Sequence, residues 1–177
     1  MSWLWIRFRL HPGSAQAACG ALVLFATTAV LAAGPPFRLE GLTFVASRET
    51  DTEVRVQARA GVIDQGANTA QLDAVSAEWS GEDGKPSLQI TCERGELDLA
   101  TNDLFASGDV RGLLADGRRF VGPWLRYDRT RGVAFTEAPV QILEGDRVLR
   151  GGGFEYHVRE RRLRLTAGAR VEERQRP

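Results

Sequence analysis

Residues 139–165 read PVQILEGDRVLRGGGFEYHVRERRLRL, and this stretch decides the fold. Val140 and Ile142 share one parity. Phe154, Tyr156 and Val158 share another, with Glu155, His157 and Arg159 filling the alternate positions. Leu163 and Leu165 repeat the pattern between Arg162 and Arg164. A period of two means strands with one dry face and one wet face. Gly151-Gly152-Gly153 precedes a strand with no helix behind it, which marks a bulge or bend instead of a phosphate site. The functional question is whether the dry face is only core or also holds a ligand.

The same alternation spreads outward. Val54, Val56, Ala58, Ala60 and Val62 are in phase, as are Leu88, Ile90 and Cys92, then Leu97 with Leu99 and Leu125 with Tyr127. Turn signals separate these runs at Asp83-Gly84, Asn102-Asp103, Asp116-Gly117 and Gly145-Asp146. From Phe37 onward there is no amphipathic helical period. Many short strands at regular spacing indicate an all-β protein. A weak repeat lies on top: GELDLATNDLFASGDV, LRYDRTRGVAFTEAPV and FEYHVRERRLRLTAGARV end at Val110, Val140 and Val171, 30 and 31 residues apart. Units of that length bury their dry faces by stacking on neighbours. The expected product is a stacked antiparallel sheet pair, a jellyroll drawn out along one axis. Its first and last strands are edges, either protected by charge or open to strand addition.

Composition excludes several function classes. The 177 residues carry 23 basic and 23 acidic side chains, without the basic excess of a nucleic-acid binder. No Cys/His cluster has zinc-ligand spacing, and Cys19 and Cys92 sit in different environments, which argues against a disulfide between them. Cys92 is in phase with Leu88 and reads as a small buried hydrophobe. His157 lies on a wet face. No GxSxG, HExxH or Walker-type loop is present. Asp98 and Asp128 recur at matching repeat positions, where a strand-end role explains them without acid–base chemistry. The Arg-rich end, with Arg159, Arg161, Arg162 and Arg164, reads as a solvated face. No catalytic set, metal site or cofactor site emerges, so the chain reads as a non-enzyme.

Arg7 and Arg9 precede a stretch without Lys, Arg, Asp or Glu that lasts until Arg38. Residues 15–33 are mostly apolar over 19 positions. A cleaved signal peptide and an uncleaved anchor both fit, and the length favours an anchor. Arg7 and Arg9 then keep residues 1–14 cytoplasmic, and residues 34–177 form the exported domain.

An N-terminal anchor followed by FRLEGLTFVAS, VQARAGVIDQGANTAQLDAVSAEW, ITCERGELDLATNDLFASGDVRGLLADGRRF, WLRYDRTRGVAFTEAPVQI and LRGGGFEYHVRERRLRL resembles the LptC family of lipopolysaccharide export. The resemblance covers about residues 37–171 and the anchor. It implies one N-terminal transmembrane helix, single-pass in a Gram-negative inner membrane, followed by an elongated twisted antiparallel β-jellyroll of the LptA type in the periplasm. It implies that lipopolysaccharide acyl chains lie between the sheets. It also implies docking on an LptBFG-type ABC transporter at one edge and on an LptA-type carrier at the other, with a homodimer through edge strands as a further option. The inward parity then nominates Phe44, Val56, Ile90, Leu104, Phe120, Tyr127, Phe135, Ile142, Phe154 and Tyr156 as lipid-facing. Edge docking falls to Leu42, Phe44, Leu163, Leu165 and Val171. A structural β-scaffold, with a sealed interior, and a soluble LptA-like carrier without the anchor are the alternatives. A conduit instead predicts an apolar slot open along one side and at both ends.

Overall fold

The computed structural model describes residues 35–47, 53–81 and 83–173. The expected anchor at 15–33, Cys19 and the cytoplasmic segment lie outside them. Among the described residues no helix is long and apolar enough to cross a membrane. Ten strands succeed one another: β1 (Phe37–Ser47), β2 (Glu53–Asp64), β3 (Thr69–Ser80), β4 (Pro86–Asp98), β5 (Leu104–Leu114), β6 (Arg119–Asp128), β7 (Val133–Thr136), β8 (Val140–Glu144), β9 (Arg147–His157) and β10 (Arg162–Glu173). All pair antiparallel in one sheet in chain order. The short β7 and β8 share the place between β6 and β9.

That single sheet folds back on itself. A strand alternates inward and outward without interruption unless something inserts or twists. Here the alternation changes phase part-way along. Leu72 and Val75 are both buried in β3, across Ala74 at φ 51°. Phe120 and Leu125 are both buried in β6, across Pro123. β5 carries Gly108 and Asp109, and β10 carries Ala167 and Gly168, all at positive φ. The chain between β7 and β8 breaks at the same level. These irregularities line up into a seam that crosses every strand and divides the sheet into two layers with facing interiors. The expected phase of Val62 is overturned for this reason. Past Ala60 and Gly61 the inward position passes to Ile63, which pairs with fully buried Ala70.

The three sequence repeats are three hairpins of the first layer. Each runs up, turns and returns to the seam. At their turns, the Oδ1 of Asp98 accepts from the N–H of Ala100 and Thr101, and that of Asp128 accepts from the N–H of Arg131. These bonds hold the Asp98 carboxyl below the usual carboxylate range.

Register aligns the inward side chains into rows that cross the whole molecule. In the first layer the row farthest from the seam is Phe37, Ile63, Ala70, Leu97, Leu104, Tyr127, Ala134, Tyr156 and Leu163. In the second layer one row reads Phe44, Val56, Ala77, Ile90, Gly112, Phe120, Ile142, Leu149 and Val171. The layers are staggered along the strand order. Trp79 of β3 meets Tyr127 of β6 at 5.0 Å between ring centroids, and Phe120 of β6 meets Phe154 of β9 at 4.9 Å. Because of that stagger, the second-layer end of β10 has no first-layer strand opposite it among the described residues. Val171 is therefore 62% exposed although its row is otherwise core.

Candidate functional site

At the β1 end the layers leave a cavity of about 880 Å³. Its walls are Phe37, Leu39, Leu42, Phe44, Val54, Val56 and Ile63 from β1 and β2, with Leu97, Leu99 and Leu104 from the β4–β5 hairpin. Glu40, Thr43, Gln65, Asn68 and Asn102 supply its polar groups. The size and apolar lining are those of a ligand site, for which roughly 300–1,000 Å³ is usual. Beyond the cavity the interior is packed, first by Trp79 against Tyr127 and then by Phe120 against Phe154.

The side opposite the seam is closed there by hydrogen bonds between layers. The Tyr156 hydroxyl donates to the Ser87 carbonyl at 2.9 Å, and the Ser87 hydroxyl donates to the Val158 carbonyl. Outside them, the Arg161 guanidinium lies 2.6 Å from the Asp83 carboxylate and lowers its pKa. Nearer the cavity, Arg129 donates to the Ser47 carbonyl at 3.2 Å. The interior is thus open at the β1 end and shut along its middle. That is narrower than a slot open along a whole side, yet it is not sealed.

Of the nominated lipid-facing residues, Phe44, Val56 and Leu104 line the cavity. Ile90, Phe120, Tyr127, Ile142, Phe154 and Tyr156 face inward but lie in the packed core. Phe135 corrects the inward assignment. It pairs with Arg126 and Glu155 on the outer face, while its neighbour Ala134 turns inward between Tyr127 and Tyr156. Outside, Phe135 packs edge-on to Trp124 at 6.5 Å, under the Arg131 guanidinium at 5.8 Å. Phe105 extends this outer cluster.

Leu42 and Phe44 lie on the β1 edge, and Leu163, Leu165 and Val171 on the β10 edge. Each edge strand has one strand neighbour among the described residues. Trp79 went unnamed in the sequence reading, although VSAEW sets it in phase with Val75 and Ala77. Cys92 is buried, its thiol pKa raised by desolvation, with Sγ 3.1 Å from the Arg94 carbonyl. No group of His, Cys, Asp and Glu able to hold a metal occurs among the described residues.

Residues 55–172 match the family model described as "Lipopolysaccharide-assembly, LptC-related". Among solved structures, the chain is similar to LptH of Pseudomonas aeruginosa, described as the LptA-homologous periplasmic component of the lipopolysaccharide transport device. Identity is 13% and the TM-score 0.52, over 70% of this chain and 95% of that one, a likeness of fold. No curated protein matches the sequence.

Proposed function

The chain belongs to the LptC-related family of lipopolysaccharide assembly, and on that premise we propose that it is a non-enzymatic carrier holding lipopolysaccharide acyl chains in the β1-end cavity. It accepts the lipid from an LptBFG-type ABC transporter in the inner membrane and passes it to an LptA-type periplasmic carrier. The sequence contains no nucleotide-binding loop, so the driving energy comes from the transporter. The apolar run at 15–33 anchors the chain with residues 1–14 cytoplasmic. β1, through Leu42 and Phe44, faces the transporter. β10, through Leu163, Leu165 and Val171, faces the carrier. The same unpaired edges allow a homodimer.

The observation that carries this reading is the open apolar cavity. A purely structural scaffold would be expected to fill its interior throughout, as this one does only beyond Trp79. The test is binding of lipopolysaccharide to the full-length chain in one mild detergent. Leu42→Glu and Leu99→Glu place a charge on the wall at partly buried positions and should weaken binding about tenfold or more, because an unpaired carboxylate is costly against hydrocarbon. Val121→Glu, on the exposed outer face, should leave it unchanged. Equal binding by all three variants and the wild type would remove the cavity as the lipid site, and no binding by any of them would leave only the scaffold.

A further inference from the structure

The polar side of the β1-end cavity has a chemistry of its own. The chain carries 23 Lys and Arg residues, yet among the described residues that line the cavity none is Lys, Arg or His. The one charged residue there is Glu40, an acid. Beside Thr43, the other polar side chains are amides: Gln65 and Asn68 from the β2–β3 turn and Asn102 from the β4–β5 turn. These turns close first-layer hairpins on the side away from the seam, beyond the row that holds Ile63, Leu97 and Leu104. An amphiphile with its chain against those apolar walls therefore has its head beside the three amides.

The turns do not use these amides for themselves. Asn68 and Asn102 stand at φ 58° and 60°, in the left-handed region that Asn tolerates better than most residues. The Leu99 N–H donates to the Asn68 carbonyl at 2.9 Å, which ties the two turns together, and the Asn102 N–H donates to the Asp98 carbonyl at 2.8 Å. The side-chain bonds that close the turns come from Asp64 and Asp98. The amides of Gln65, Asn68 and Asn102 have no hydrogen-bond partner among the described residues. Backbone conformation accounts for Asn at 68 and 102, but Gln65 is under no such demand. A neutral amide both donates and accepts, which matches hydroxyl groups, whereas a phosphate or carboxylate calls for Arg or Lys. We infer that Gln65, Asn68 and Asn102 are binding residues for an uncharged, hydroxyl-bearing head such as a sugar ring, and that the cavity mouth disfavours an anionic one. This assignment rests on the lipid reading of the cavity.

The test compares tetradecyl glucoside with tetradecyl phosphate, which share a chain and differ in the head. Both are titrated calorimetrically into the full-length chain in a polyoxyethylene detergent, which has neither sugar nor phosphate. Wild type should prefer the glucoside by about tenfold. The double variant Asn68→Gly, Asn102→Gly keeps the left-handed backbone, which glycine accepts, and removes two amides. It should bind the glucoside about tenfold more weakly and the phosphate as before. On the wild-type protein, the side-chain amide resonances of Asn68 and Asn102 should shift with the glucoside and not with the phosphate, a reading independent of how the variant folds. Equal affinity for the two ligands in wild type, or a preference for the phosphate, overturns the assignment and leaves the lipid cavity standing. So does a glucoside preference that survives the double variant, or a variant that loses both ligands alike. If neither ligand binds to wild type, the lipid reading falls and the assignment with it.

Discussion

Gly153 and Gly117 show how differently one residue type is used in this chain. A Cβ on Gly153 would stand 2.4 Å from the Thr136 carbonyl oxygen and 2.7 Å from Thr166 Oγ1, because three strands crowd together at the seam. Gly117 meets nothing within 4 Å and is required only by its φ of 86° in a turn. Gly153→Ala should therefore be the costlier change, at about 3 kcal/mol against about 1 kcal/mol for Gly117→Ala. Chemical denaturation of the two variants gives the comparison directly. Equal losses would mean that the seam is looser than described. The glycine triplet was expected to mark a bulge or bend of its own; the extra residue instead lies opposite it in β10, beside Ala167 and Gly168, and a Cβ on Gly152 would stand 2.8 Å from Ala167 Cβ. Phe135 was misplaced because β7 has only four residues, and its neighbours Val133, Ala134 and Thr136 are all buried. A strand that short gives alternation too little length to set its own phase. Trp79 was legible from its phase with Val75 and Ala77. That its buried N–H finds no acceptor among the described residues was not, since that depends on which atoms face it across the layers.

At the scale of elements, the sequence pattern showed strands and repeats but not the seam. Alternation reports which residues share a face within one run. It does not say that a run continues past a phase change as the same strand. Leu72 and Val75 look like the end of one pattern and the start of another, yet one strand carries both. The 30-residue repeat was real evidence of the fold, because each unit is a first-layer hairpin, two of them with the turn held by an aspartate. The last strand carries a prediction of its own. Val171 shares a core row but stands exposed, so it offers apolar surface to whatever extends the sheet. Val171→Asp should lower capture of an LptA-type carrier by the full-length chain about tenfold. It should shift unfolding free energy by no more than about 0.5 kcal/mol, as surface changes usually do. Unchanged capture would remove β10 as the docking edge.

For the whole molecule, the decisive feature is the stagger between layers. It leaves a cavity at the β1 end, a packed middle crossed by two aromatic pairs, and a second-layer apolar surface at the β10 end. That asymmetry gives the molecule a direction, and it could not be read from the chain. Stagger arises from the twist of the sheets, and twist leaves no periodic mark in a sequence. The cavity, and not the outer face, should hold lipid during transport. In-cell photocrosslinking tests it most directly, with a photoreactive residue placed in turn at Phe44, which lines the cavity, and at Phe135 and Arg164, which face outward. Lipopolysaccharide adducts should form at Phe44 and not at Phe135 or Arg164. Adducts at the outer positions with none at Phe44 would contradict it.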